Sequence, residues 1–80
     1  MDESASKTMA DVARGDLSAF REIVEHYQNP LLNYVHRYTG ERTTAEDIAQ
    51  EVFLRVFKNA KEYRPFSSFK RWLFKIARQA

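Results

Sequence analysis

The sequence predicts an all-α fold, a compact bundle of about four to five helices. Only two glycines and two prolines occur in 80 residues, so few positions interrupt a helix. Apolar residues recur three and four positions apart along most of the chain, which is the spacing of one face of an α-helix. Residues typical of helix ends separate these apolar segments, which divides the chain into short helices.

The first three helices are predicted from Gly15, Asp16 and the Asn29-Pro30 pair. Gly15 can end a short helix over about residues 6–14, and Asp16 can cap a second helix. Asn29-Pro30 indicates a new start, with asparagine as N-cap and proline at the first helical position. Two stripes are expected to face the core: Ala19, Phe20, Ile23, Val24 and Tyr27 in the second helix, and Leu31, Leu32, Val35 and Tyr38 in the third.

The remaining two helices follow from similar signals. Gly40 can end the third helix, and residues 43–46 (TTAE) have the form of a capping box that opens a fourth helix reaching about Ala60. Pro65 is expected in a loop, after which Ser67 or Ser68 can cap a last helix. The final residues stay in helical register without a stop signal, so we expect that helix to belong to a longer one.

Length and composition indicate one small domain over residues 1–80 with little room for a deep pocket. The chain has no cysteine, which excludes disulfides and thiolate metal sites, and it has no apolar run long enough to span a membrane. These features predict a cytoplasmic protein. His26 and His36 lack partners in a catalytic or metal-binding pattern, so we expect no enzyme activity, no metal and no cofactor.

Charge is divided unevenly along the chain. Residues 1–60 carry seven Lys/Arg against ten Asp/Glu, whereas residues 61–80 carry six against Glu62 alone. This basic end suggests a polyanion as partner, although a solvated basic face would have the same composition.

A helical wheel of the fourth helix separates a broad apolar face from a polar one. The apolar face holds Ala45, Ile48, Ala49, Val52, Phe53, Val56, Phe57 and Ala60, and the polar face holds Asp47, Gln50, Glu51, Lys58 and Lys61. Leu54 lies in the middle of the polar face. An apolar anchor inside a polar rim is typical of a protein-binding surface, but a single exposed leucine is also common on ordinary surfaces.

The last helix has a similar division. Its apolar side holds Phe69, Trp72, Leu73, Ile76 and Ala80, and its other side holds Lys70, Arg71, Lys75 and Arg78 with Phe74 among them. These cations could neutralise phosphates, and Phe74 could stack on a base or pack against a neighbouring helix. The preceding loop, residues 62–68 (EYRPFSS), offers aromatic rings and hydroxyls of the kind that hold an unstacked base, although we expect Phe66 to pin the loop to the core.

Two strings in this region, AEDIAQEVFLRVF (residues 45–57) and SFKRWLFKIAR (residues 68–78), resemble region 2 of bacterial sigma factors of the extracytoplasmic-function group. The Tyr63-Arg64-Pro65 segment between them fits the same pattern. The resemblance covers residues 16–80, and residues 1–15 would form a short N-terminal helix or tail. Region 4, the helix-turn-helix domain of that family, has no counterpart in these 80 residues.

The resemblance implies a role in transcription initiation. It implies that Asp47, Gln50, Glu51, Leu54 and Lys58 dock on the clamp helices of the RNA polymerase β′ subunit. It also implies that the loop and last helix bind the single-stranded non-template strand of the promoter −10 element through Tyr63, Arg64, Ser67, Ser68, Phe69, Lys70, Arg71, Lys75 and Arg78. Trp72 matches a position at the edge of the melted duplex, but the wheel directs it toward the core, and we expect it to be mainly structural.

An alternative is a helical protein-interaction module without DNA binding of its own. Its main ligand would be another protein, such as an anti-sigma factor, held on the same apolar and acidic surfaces.

Overall fold

The computed structural model describes residues 2–64 and 68–80, with side chains from Ser4 onward. Within these ranges the chain forms helices α1 (Asp2–Ala13), α2 (Leu17–Thr39), α3 (Arg42–Lys58) and α4 (Phe69–Gln79), with a short 3-10 helix, η1 (Ala60–Glu62), after α3. The described residues include no strand. The predicted all-α class is confirmed.

The turn before α2 and the two ends of α2 form where the sequence signals predicted them. Gly15 has a φ of +90° at the turn after α1, and Gly40 has a φ of +72° at the C-cap of α2, a region that L side chains rarely adopt. The Asp16 carboxylate caps α2 by accepting hydrogen bonds from the Ser18 and Ala19 amides at 3.0 and 3.1 Å. These caps fix where α2 begins and ends.

The predicted break at Asn29-Pro30 is wrong, because α2 continues through Pro30. Both residues lie on the exposed side of the helix, where the His26 carbonyl, which loses its i+4 donor at Pro30, can be satisfied by water. Five buried residues continue across the proline at intervals of four: Ala19, Ile23, Tyr27, Leu31 and Val35. This unbroken stripe favours one helix over two.

Three further helix boundaries and some of the core assignments differ from the predictions. Helix α1 starts at Asp2, earlier than the expected residue 6, and α3 stops at Lys58, so Ala60 belongs to η1. The predicted capping box at residues 43–46 is not formed. Instead, the Glu41 carboxylate caps α3 by accepting from the Thr44 amide at 2.7 Å, and Glu46 pairs with Arg42 inside the helix. Tyr38, expected in the core, is 57% exposed.

One core joins all four helices. Helix α1 contributes residues spaced four and three apart, namely Ala5, Met9 and Val12, and it packs against α2, η1 and α4. Phe69 at the start of α4 is fully buried, with its ring centroid 4.9 Å from that of Tyr27. The apolar face predicted for α3 is buried or half-buried throughout. This packing directs the polar sides of α3 and α4 to the surface.

Candidate functional site

The polar face of α3 is exposed along its length. Asp47, Gln50, Glu51, Leu54 and Lys58 are all exposed, and Leu54 keeps 52% of its surface accessible. Only two other large apolar residues among those described, Leu17 and Tyr38, are comparably exposed. The helical wheel therefore predicted the exposed residues of this face correctly. The face offers an apolar centre with a polar rim.

A shallow apolar groove between α2 and α3 adjoins Leu54. Phe20, Val24 and Phe53 form its apolar wall beside Gln50. The groove continues into a cavity of about 490 Å³ near Leu32, next to the Arg42–Glu46 ion pair. Sequence reasoning had placed Phe20 and Val24 in the core, but both are half-buried. The apolar area that a partner of the Leu54 face could cover therefore extends onto α2.

The charges on this face are partly compensated within α3. Arg55 donates to the Glu51 carboxylate at 3.2 Å, and both side chains are well exposed. An exposed pair of this kind adds little stability, but it lowers the local negative charge. Asp47 takes part in no ion pair found among the described residues and stands beside Gln50 as the acidic part of the rim.

The outer side of α4 carries four exposed cations, which are Lys70, Arg71, Lys75 and Arg78. Residues 68–80 include no acidic residue, and Glu62 of η1 lines the same shallow pocket as Lys75. Ser68 begins the helix as its N-cap, and its hydroxyl oxygen accepts from the Arg71 amide at 3.4 Å. The arrangement is a short positive ridge able to contact phosphates.

Tyr63 and Phe69 do not belong to an open loop surface. Tyr63 is only 6% exposed, its hydroxyl lies 2.9 Å from the Ser6 hydroxyl of α1, and its ring meets that of Phe69 edge-on at 5.7 Å. Tyr63 directly follows η1, and Phe69 is the first residue of α4, after its N-cap Ser68. Both rings are buried in this structure, and their predicted contact with DNA stays a prediction.

The other loop residues divide into two groups. Arg64 is exposed and donates to the carbonyl oxygens of Lys61 and Glu62 at 3.2 and 3.4 Å, which holds its guanidinium against η1. The predictions for Pro65, Phe66 and Ser67 lie outside the described residues.

Two aromatic residues of α4 pack mainly against the protein. Phe74 is half-buried and stacks on Tyr34 of α2, with centroids 4.7 Å apart and planes inclined by 22°. Trp72 is also half-buried and meets the rings of Tyr63 and Phe69 at 5.3 and 5.9 Å. Phe74 therefore packs on a neighbouring helix, as one of the two alternatives predicted, and Trp72 packs toward the core, as the wheel predicted.

Two anionic caps lie near these surfaces. The pKa of Glu41 is held below its ordinary value by the hydrogen bonds from the Thr44 amide and hydroxyl, and the pKa of Asp16 by those from the Ser18 hydroxyl and the Ala19 amide. Among the described residues, no three His, Cys, Asp or Glu side chains converge as metal ligands, and no helix is long and apolar enough to cross a membrane.

Comparison with known proteins gives consistent matches. The family described as Sigma-70 region 2 matches residues 23–80. The chain is 35% identical over 77 residues to the ECF RNA polymerase sigma factor SigW of Bacillus subtilis, which covers 96% of this chain and 41% of that protein. It is 39% identical over 75 residues to the ECF RNA polymerase sigma factor SigG of Mycobacterium tuberculosis, covering 94% of this chain and 20% of that protein. The ECF RNA polymerase sigma-E factor of Escherichia coli is 33% identical over 66 residues, covering 82% and 34%.

The chain therefore spans between about a fifth and two fifths of the length of these relatives. Helix α1 precedes the part matched by the family, although it fills part of the same core.

Proposed function

The chain belongs to the sigma-70 region 2 family, and from that premise we propose that it acts in transcription initiation as the domain of a sigma factor that joins RNA polymerase to the promoter −10 element. One surface, the Leu54 face of α3, docks on the clamp helices of the β′ subunit. The other surface, the basic side of α4 with the preceding loop, binds the single-stranded non-template strand. The domain works by binding and performs no chemical step.

The separation of the two surfaces is the observation that carries this proposal. Both α3 and α4 bury their apolar sides in one core, and each exposes a different chemistry. The exposed face of α3 combines a half-accessible leucine with acidic and amide groups, which suits a protein partner. The exposed side of α4 combines four cations with no acid, which suits a phosphate backbone.

The magnitude expected at Leu54 follows from its exposure. Complete burial of a leucine side chain contributes about 1.5–3 kcal/mol, and roughly half of Leu54 is still accessible, so docking gains about 1 kcal/mol from this side chain. Leu54→Ala should therefore weaken binding to a β′ clamp-helix fragment about fivefold, as measured by isothermal calorimetry. Gln50→Ala should also weaken it.

A matched control is Tyr38→Ala, because Tyr38 is similarly exposed but lies near α4. This variant should bind the clamp-helix fragment like the wild-type chain, and circular dichroism should show the same helix content in all variants. Unchanged affinity in both Leu54→Ala and Gln50→Ala would remove the α3 face from the proposal.

The DNA surface is tested by salt dependence. Binding of a single-stranded −10 oligonucleotide should weaken as salt increases, and Arg71→Ala should lower the slope of log K against log salt by about 0.7. Arg21→Ala is the control, because it removes an arginine that is also exposed but lies in the N-terminal half of α2. Equal slopes for the wild-type chain and Arg71→Ala would exclude Arg71 from the phosphate contacts.

The groove beside Leu54 favours a second candidate, a domain that binds a regulatory protein such as an anti-sigma factor and has no DNA affinity of its own. Phe20, Val24 and Phe53 form an apolar wall beside Leu54 that a protein partner could cover. A chemical-shift titration with single-stranded DNA separates the two: perturbations within residues 61–80 support the first proposal, and none at low salt favours the second.

A further inference from the structure

Three aromatic rings form a continuous strip across the junction of α2 and α4. Phe74 of α4 stacks on Tyr34 of α2, and Tyr34 meets Tyr38 edge-on with centroids 5.8 Å apart. The Tyr38 hydroxyl lies 3.5 Å from the Ala77 carbonyl oxygen of α4, at the long limit of a hydrogen bond. The strip thus starts beside the basic ridge and ends at the last turn of α2.

Tyr38 is the open end of this strip. Tyr34 and Phe74 are half-buried against each other, whereas Tyr38 is 57% exposed. The buried stripe of α2 advances by four residues up to Val35, so its next position is Thr39, and Tyr38 lies one residue off that line. A large ring is therefore held at the surface by its neighbours and offers accessible aromatic area.

The surroundings of Tyr38 favour an anionic ligand. Arg37 is next to Tyr38 in the sequence, and Arg78 is next to Ala77, whose carbonyl oxygen lies near the Tyr38 hydroxyl. The nearest acidic residue in the sequence is Glu41, whose carboxylate caps α3. The Lys70 ammonium lies 5.8 Å from the centroid of Phe74, over the strip itself. Flat rings bordered by cations match a ligand that combines flat bases with phosphates.

We propose that Tyr38 is a base-stacking residue for single-stranded DNA, and that the DNA path continues from the Ser68 end of α4 to the α2–α4 junction. The path along α4 from Ser68 to Ala77 is roughly 13 Å long, given a rise of 1.5 Å per residue. This inference rests on the proposed function, because it extends the DNA surface of the same domain. It also assigns to Tyr38 the stacking role that Phe74 cannot fill while it is packed on Tyr34.

The phenol of Tyr38 is compatible with a nearby phosphate. Partial burial of the hydroxyl and the neighbouring Tyr34 raise the pKa of Tyr38 above its ordinary value, so the side chain stays neutral and does not repel an anion.

The test compares three substitutions at this position in the 80-residue chain. Fluorescence anisotropy would measure binding of a labelled single-stranded DNA of about 12 nucleotides. Tyr38→Ala and Tyr38→Leu should weaken binding roughly 5- to 100-fold, because both remove the ring, whereas Tyr38→Phe should keep the wild-type affinity. Leu17→Ala, an exposed apolar residue at the other end of α2, is the control and should change nothing.

A second measurement distinguishes stacking from other roles. An oligonucleotide series with one abasic site at each position in turn should contain a position at which Tyr38→Ala causes no further loss, because the stacked base is already absent. A ring that only supports the fold would weaken binding equally across the series. Wild-type affinity in Tyr38→Leu, or an equal loss at every abasic position, overturns the inference.

The outcomes also distinguish failure of the stacking role of Tyr38 from failure of the proposed function. If Arg71→Ala weakens DNA binding and Tyr38→Ala does not, the stacking role alone fails. If the wild-type chain does not bind single-stranded DNA at low salt, the proposed DNA-binding function fails and the stacking role fails with it.

Discussion

Replacement of Phe69 tests whether the aromatic residue at the start of α4 contacts DNA or supports the fold. Its side chain is fully buried, and its ring lies 4.9 to 5.9 Å from the rings of Tyr27, Tyr63 and Trp72. Phe69→Ala should therefore destabilise the whole domain, and any loss of DNA binding should follow from unfolding.

The magnitude is large for a domain of this size. Truncation of a buried phenylalanine to alanine costs about 3–5 kcal/mol, because it removes apolar contacts and leaves a cavity. An 80-residue domain has a free energy of unfolding of roughly 4–12 kcal/mol. The substitution therefore removes a quarter or more of the stability, and the melting temperature should fall by at least about 12 °C.

Urea unfolding followed by the fluorescence of Trp72 measures this change, since the indole ring lies 5.9 Å from the ring of Phe69. DNA binding and clamp-helix binding should be measured on the same samples. Both should decrease in parallel with the folded fraction. Phe69→Leu leaves a smaller cavity and should stay folded, with wild-type affinity for DNA.

The opposite pattern would refute this reasoning. If Phe69→Leu or Phe69→Ala unfolds at the wild-type urea concentration but loses DNA binding while retaining clamp-helix binding, the ring contacts DNA directly. The buried position of Phe69 would then describe only the unbound state.

Three other predictions concern the ends and the bracing of the helices. Gly40→Ala should lower the free energy of unfolding by about 1 kcal/mol in urea titrations, because the C-cap of α2 has a φ of +72°. The added Cβ meets no atom within 4 Å, so no new contact offsets this strain. An unchanged urea midpoint would contradict the strain argument. Ser6→Ala and Tyr63→Phe should each lower the free energy of unfolding by about 1 kcal/mol, and the double variant should lower it by little more, because both substitutions remove the same 2.9 Å hydrogen bond. Additive losses in the double-mutant cycle would argue against that bond. The pKa values of Asp16 and Glu41 are lowered in the folded chain. Their contribution to stability is therefore complete above their ordinary pKa values and is lost as pH falls through the lowered values, below about pH 4. The double variant Asp16→Asn, Glu41→Gln should lose less stability on acidification than the wild-type chain, as measured by urea midpoints at several pH values.

Local signals in the sequence predicted most of the helix boundaries, because glycine and short polar side chains act within one turn. Gly15, Asp16, Gly40 and Ser68 all end or begin helices as expected. The signals failed where tertiary packing decided the outcome. Pro30 was expected to start a helix, but the buried stripe on the opposite side of α2 stabilises a continuous one. The cap at Glu41 was missed because glutamate is not a preferred N-cap residue.

The candidate site was predictable to a similar extent. Helical periodicity was sufficient to place Leu54 and the α4 cations on the surface, because one helix determines which side each residue occupies. Burial of Tyr63 depends on its contact with Ser6 of α1, 57 residues away in the sequence, and exposure of Tyr38 depends on where α4 crosses α2. Such contacts between distant segments leave no local pattern.

Pro30 also has a consequence for communication between the two surfaces. The N-terminal half of α2 borders the Leu54 face through Phe20 and Val24, and its C-terminal half carries Tyr34 and Tyr38. At the proline between them, the backbone hydrogen bond to the His26 carbonyl is missing, so bending there breaks one bond fewer than elsewhere in the helix. We therefore expect any bend of α2 to occur at Pro30, so a ligand that tilts one half of the helix would move the other half less than it would through an uninterrupted helix.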